Sequence, residues 1–191
     1  MNKDYDYYVN KAATYCAKGE RCIYDVRENL KKSGADNNDI ESIIEYLQEE
    51  NYLNEQRYAI AYTKDKYRFD KWGRIKISYQ LSGKRIASSV IHRALEEIDE
   101  EEYYSNLKNI IVSKIKDMKT TAPELDINEE SKIYRFCSSR GFESNLISRA
   151  LKEIKKGETI NSPHIEFRPF LTSETSIIIK FYFHFRLDKR I

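Results

Sequence analysis

The sequence predicts an all-α chain of three tandem three-helix units, followed by a C-terminal tail of different character. Three observations lead there. The first is an internal repeat with a period of a little over 50 residues. Aligned on Gly34, Arg85 and Gly141, the chain places Val26, Ile77 or Ile133 eight residues before and Ala35, Ile86 or Phe142 one residue after. Six residues after comes Ile40, Ile91 or Ile147, then Ile43, Ala94 or Ala150, then Ile44, Leu95 or Leu151, and last Leu47, Ile98 or Ile154. The second is their spacing: these four positions fall at i, i+3, i+4 and i+7, one apolar stripe on one helix face. The third is composition, with 34% charged residues but only 6 Gly and 3 Pro, which suits solvated helices. Stacked copies of a small helical unit make an extended surface for a large partner rather than a pocket for a small one.

The spacing predicts helices over 5–18, 22–32 and 38–49 in a first unit (1–52). Val26 and Leu30 stand one turn apart, Gly34 suits a left-handed closing position, and Asn38 with Glu41 resembles a capping box. A second unit (53–99) is expected to hold helices 55–69, 74–82 and 87–98. Asn54 precedes an acid at its start, and Ile77 and Leu81 repeat the one-turn pair. Arg85 occupies the slot that Gly34 and Gly141 fill, where a side chain costs about 1 kcal/mol of backbone strain. A third unit (100–156) is expected to hold helices 101–118, 129–139 and 143–154, with Thr120 to Pro123 as an internal loop and Asn128 before the acids of a first turn. Ile40, Ile44, Leu47, Ile91, Leu95, Ile98, Ile147, Leu151 and Ile154 are the expected core. Residues 157–191 break the pattern with Pro163, Pro169 and a strand-like run from Ile177 to Phe185. That tail is expected to be weakly paired or disordered, and removable after Lys156 without loss of binding.

Net charge is only +2, but the charge is segregated. Residues 36–55 hold seven acids and no Lys or Arg. Residues 64–85 hold eight bases against Asp65 and Asp70, and Glu96–Glu102 holds six acids in seven positions. A basic middle between acidic stretches can address a polyanion and a protein together.

Known catalytic patterns are missing: no phosphate-cradling Gly-rich loop, no His-Glu-x-x-His, no Gly-x-Ser-x-Gly. His92 reads as a polar-face residue, and His164 and His184 fall in the tail. The 15 tyrosines have no Arg and His constellation around them, and most are expected to pack with a wet hydroxyl. Cys16, Cys22 and Cys137 keep no metal-ligand spacing and read as small buried hydrophobes in a reducing compartment. A non-enzymatic protein without metal or cofactor is expected. The start of the chain shows no apolar signal region and no run reaches membrane-spanning length, so a cytoplasmic protein is expected.

The best functional candidate is the run from Tyr58 to Lys76. Its bases, interleaved with Tyr67, Phe69 and Trp72, can neutralise phosphates and offer ring faces to unstacked bases. The same run also reads as a charged helix face with core aromatics and Trp72 wedged at a helix corner. The basic run occurs in the middle copy alone, which favours the functional reading.

Here the text resembles the RecX family of regulators of the bacterial RecA recombinase. Tyr52-Leu53-Asn54-Glu55-Gln56-Arg57-Tyr58-Ala59 is similar to that family's entry into its middle unit, Gly-Leu/Ile-Asp-Asp-x-x-Phe/Tyr-Ala. Lys71-Trp72-Gly73-Arg74-Ile75-Lys76-Ile77 and Leu81-Ser82-Gly83-Lys84-Arg85-Ile86 resemble its later motifs, and Ala12 to Leu30 looks like its first helix pair. Two departures stand out: Asn54 replaces an acid and Arg85 replaces a Gly. The resemblance runs from about Tyr5 to Lys156 and leaves the tail without a counterpart. It implies an elongated crescent of three helix-turn-helix-like repeats, acting in homologous recombination, DNA repair and the SOS response. Such a protein, expected as a monomer, lodges in the groove of the RecA–single-stranded DNA filament and limits its growth, ATP hydrolysis and strand exchange. The residues expected to carry electrostatic contact are Lys64, Arg68, Lys71, Arg74, Lys76, Lys84 and Arg85, with Tyr67 and Trp72 shaping the patch. The alternatives are a stand-alone helical nucleic-acid-binding protein and a protein-only scaffold.

Overall fold

The computed structural model describes residues 3–157, and all of that part is helix and short connection. In order come α1 (Lys3–Ala17), α2 (Ile23–Lys32), α3 (Asn37–Glu49), α4 (Glu55–Arg68), α5 (Arg74–Gly83), α6 (Ser88–Glu96) and α7 (Glu100–Asp117). A 3-10 turn (Ala122–Glu124), α8 (Ile127–Ser139) and α9 (Ser144–Lys155) complete it. The helices pack in successive threes, α1 with α2 and α3, α4 with α5 and α6, α7 with α8 and α9. The readings made on the tail, including those on His164 and His184, lie outside the described residues.

The local chemistry that starts and stops these helices is visible at their ends. Asn54 caps α4, its Oδ1 accepting from the Arg57 N–H at 3.0 Å, and Asp99 caps α7 through the Glu102 N–H at 2.8 Å. Gly34 and Gly141 close α2 and α8 at φ +89° and +86°, where a side chain would crowd the following carbonyl. Arg85 adopts the same left-handed backbone at φ +62°. Two expected caps are corrected. Asp36, two residues earlier than expected, caps α3 by accepting from the Asn38 N–H. Asp126 caps α8 in a reciprocal box with Glu129, so Asn128 lies inside the helix. An Asp carboxylate accepts more strongly than an Asn amide at a helix N-terminus, where the dipole favours negative charge.

Side chains bury into two clusters rather than three. Ala12, Val26, Leu30, Ile40, Ile43, Ile44, Leu47 and Leu53 form one, under α1–α3. The other runs without a break from Tyr58 and Ile77 through Leu107 and Ile111 to Ile147 and Leu151. Two of the expected core residues are corrected: Leu95 and Ile154 are only partly buried against this second cluster, Leu95 at the edge of its stripe and Ile154 in the last turn of α9. Ile98 is buried although α6 ends at Glu96.

What merges α4–α6 with α7–α9 is a close backbone approach. The Gly73 N–H donates to the Arg140 carbonyl at 2.7 Å and the Ile75 N–H to the Gly141 carbonyl at 3.0 Å. Gly73 is the N-cap of α5 and offers no side-chain cap, so its own amide and the orphan Ile75 amide of α5 are satisfied by carbonyls at the end of α8. A ring chain continues the seam, with Tyr67 and Tyr103 centroids 5.9 Å apart and Tyr103 and Phe142 at 5.3 Å.

Candidate interaction surface

The α4–α5 corner carries the basic run, and neighbours from distant parts of the chain sort its cations into two kinds. Arg74 is a brace. Its guanidinium grips Glu100 in a bidentate pair at 2.8 and 3.1 Å, lies 4.1 Å from the Tyr103 ring centroid, and stands 4.0 Å from Glu143. Its backbone N–H donates to the Tyr103 hydroxyl at 3.0 Å, which in turn donates to Glu143 at 2.7 Å. Burial pushes the Tyr103 phenol well above its ordinary range, so it stays a neutral donor. Lys84 is a second brace, its Nζ donating to both Asp25 oxygens at 2.6 and 2.8 Å. Burial alone would pull the Lys84 ammonium down, but Asp25 outweighs it and lifts it. Lys64 pairs with Glu97 at 3.1 Å, both side chains close to half exposed, a weak contact that solvent screens.

Arg68, Lys71, Lys76 and Arg85 have no carboxylate in ion-pair reach among the described residues. Arg68, Lys71 and Arg85 are exposed. Lys71 sits at φ +55° where the chain leaves α4, and Arg85 lies 5.8 Å from the Tyr24 ring centroid. Lys76 and Lys66 flank Trp72, at 4.3 and 4.9 Å from its centroid, and Lys66 also holds Asp70 at 2.6 Å. Trp72 is therefore half-buried and its ring already serves two ammonium groups.

Tyr67 is corrected outright as a ring for stacking. It is buried in the core with its hydroxyl accepting from the Asn106 amide, and burial pushes its phenol up to about 12. The exposed apolar side chains here are others: Phe69 at 79%, Tyr79 at 75% and Ile75 at 55%. Phe69 stood in the basic run. Ile75 and Tyr79 escaped the sequence reading, although the signal was present. Ile75, Ile77, Tyr79 and Leu81 alternate along α5. At about 100° per residue a helix cannot aim all four at one core. The core takes Ile77 and Leu81, and Ile75 and Tyr79 emerge on the other side.

Among the described residues no helix is long and apolar enough to cross a membrane. The family model for the second three-helix domain of RecX matches residues 54–95, the segment that holds this corner. Regulatory protein RecX of Clostridium botulinum strain Alaska E43 is 31% identical over 128 residues, 67% of this chain and 59% of that protein. The chain thus spans less than two thirds of the length of that relative. Regulatory protein RecX of Vibrio parahaemolyticus is 31% identical over 129 residues, covering 68% of this chain and 79% of that one. The crystal structure of RecX from Lactobacillus salivarius superimposes with a TM-score of 0.72 at 19% identity, over 82% of this chain and 99% of that one. A second crystal structure of regulatory protein RecX gives a TM-score of 0.67 at 20% identity, over 78% and 74% of the two chains. At such identities the structures speak to the fold. Taken with the Vibrio relative, matched over most of its length, and with the middle-domain match, the chain belongs to the RecX family.

Proposed function

We propose that this protein regulates the RecA recombinase by binding in the groove of the RecA–single-stranded DNA filament, where it limits filament growth, ATP hydrolysis and strand exchange. One observation carries the reading: the middle of the chain presents unpaired cations (Arg68, Lys71, Lys76, Arg85) beside three exposed apolar side chains (Phe69, Ile75, Tyr79). Cations alone suit a phosphate backbone, but exposed Phe and Ile gain nothing against phosphate and need apolar surface to cover them. A groove with protein walls and DNA within it satisfies both demands. In this reading residues 53–99 are the contact unit, and the units 1–52 and 100–156 reach neighbouring protomers. Arg74 and Lys84 act from within, holding the corner in position, Lys64 makes only a screened surface pair with Glu97, and Trp72 fixes Lys76.

The test compares RecA filaments on single-stranded DNA with a non-hydrolysable nucleotide against naked single-stranded DNA. The wild-type chain is expected to prefer the filament. The triple variant Arg68→Glu, Lys71→Glu, Arg85→Glu, all at exposed positions, is expected to fold normally, since exposed charge changes move stability by less than about 0.5 kcal/mol each. It should lose filament affinity and release RecA ATP hydrolysis. Any of these cations that touches phosphate should, when removed, flatten the log–log salt slope by about 0.7. Equal binding to naked DNA and filament would instead make this a stand-alone nucleic-acid-binding protein. An unchanged triple variant would reduce the corner to solvated surface.

A further inference from the structure

The last two helices form a groove of about 930 Å³ with a mixed lining. Ile127, Tyr134 and Leu151 supply its apolar part, and Arg135, Lys152, Lys155 and Lys156 supply cations against one acid, Glu130. Ile127 is 83% exposed, an isoleucine that no other described residue covers. Lys155 is paired with Glu130. Arg135 only donates to the Ser131 carbonyl within its own helix, at 3.3 Å. Neither Lys152 nor Lys156 has a carboxylate within ion-pair reach among the described residues.

The first three helices carry the complement. α3 turns Glu45, Tyr46, Glu49 and Glu50 outward, with Tyr52 just beyond its end. Tyr46 and Tyr52 are 40% and 47% exposed. Glu41 is taken by Arg27 at 2.7 Å, but Glu45, Glu49 and Glu50 face no cation among the described residues. One surface is acidic with two half-exposed rings, and the other is basic with an uncovered apolar floor. Both stand open in the same chain, so they do not satisfy each other within one molecule.

We propose that the α3 face of one copy docks into the α8–α9 groove of a second copy, a head-to-tail contact between identical chains. Tyr46 or Tyr52 covers Ile127, and Glu45 and Glu49 face Lys152 and Lys156. The contact is heterologous: each bound pair leaves one α3 face and one groove unused, so association continues rather than stopping at a closed dimer. A second copy is favoured over nucleic acid because a bare isoleucine gains nothing from a phosphate backbone, whereas the tyrosines of α3 bring both apolar area and adjoining acids. Most of the attraction is between exposed charges, which makes the contact weak and salt-sensitive.

Sedimentation velocity of the full chain tests this. At about 100 µM protein and about 50 mM salt, conditions that reveal weak transient contacts, the average mass should rise above 22.7 kDa with concentration and fall back to it at about 500 mM salt. The groove variant Lys152→Glu, Lys156→Glu and the face variant Glu45→Lys, Glu49→Lys should each stay monomeric alone, with wild-type circular dichroism. Mixed in equal amounts they should associate again, because each then carries the charge its counterpart lacks. A wild-type chain that is monomeric throughout the low-salt series overturns the proposal, as does association untouched by both variants. Loss of oligothymidine binding in the groove variant, with a monomeric wild type, would assign the groove to nucleic acid and overturn it as well.

Discussion

Replacing Gly73 by Ala tests whether the α5–α8 seam holds the middle and last helix triplets together. Gly73 has an ordinary φ of −83°, so alanine adds no backbone strain and the whole effect is steric. A Cβ there would overlap the Gly141 carbonyl and lie 2.5 Å from the Phe142 nitrogen, and both are backbone that cannot rotate away. Either α5 or the α8–α9 turn must shift. That shift breaks the Gly73–Arg140 and Ile75–Gly141 hydrogen bonds, at about 1 kcal/mol each, and adds about 1–3 kcal/mol of overpacking. The expected loss is about 3–5 kcal/mol, a large share of the roughly 5–15 kcal/mol that holds a domain. Urea unfolding followed by circular dichroism reads it directly. With a slope of about 2 kcal/mol per molar, the midpoint should fall by about 1.5–2.5 M. Gly83, the last residue of α5, is the control, since a Cβ there meets no heavy atom within 4 Å. Gly83→Ala should be neutral or gain up to about 1 kcal/mol by restricting the unfolded chain. If Gly73→Ala unfolds within about 0.5 kcal/mol of wild type, a margin typical of surface changes, the seam is not a structural constraint and the reasoning fails.

Three further expectations rest on the same structure. Leu107→Ala, at a fully buried site, should cost about 2–5 kcal/mol, while Leu95→Ala at the stripe's edge should cost about half as much, both measured as urea midpoints. Arg85→Gly should raise stability by up to about 1 kcal/mol by relieving its left-handed backbone, while weakening filament binding. A gain in one assay with a loss in the other separates the residue's backbone cost from its surface role. Burial pushes the thiols of Cys22 and Cys137 up to about 11 and raises that of Cys16. Because the thiolate is the reactive form, a thiol-specific disulfide reagent at about pH 8 should leave the native chain unmodified. Unfolded in denaturant, the chain should titrate all three.

Much of the fold was legible because the information is local. The repeated i, i+3, i+4, i+7 stripes placed α3, α6 and α9 to within about two residues, a margin usual for helix ends. Gly34 and Gly141 marked where α2 and α8 close. The caps are less legible: the sequence points to Asn38 and Asn128 where Asp36 and Asp126 act, because several Asx residues crowd each start and only the hydrogen-bond geometry chooses among them. The merging of two triplets over one core was not legible. It depends on Gly73 meeting Gly141, and a sequence shows two glycines without showing that they touch.

The candidate surface divides in the same way. By itself the sequence determined that the chain is helical and that its middle copy is basic, since period and composition carry both, while its ordered motifs carry the resemblance to RecX. Only the tertiary structure decided which cations are free. Arg74 and Lys84 look no different from Lys71 and Lys76 along the chain. Yet Arg74 finds Glu100 26 residues away and Lys84 finds Asp25 59 residues away, while Lys71 and Lys76 find no carboxylate among the described residues. The structure likewise turned Tyr67 inward and left Ile75 and Tyr79 outward. A helix does not know which of its faces is the surface until another element has covered one of them, and an ion pair between distant residues exists only once packing has brought both charges to one place.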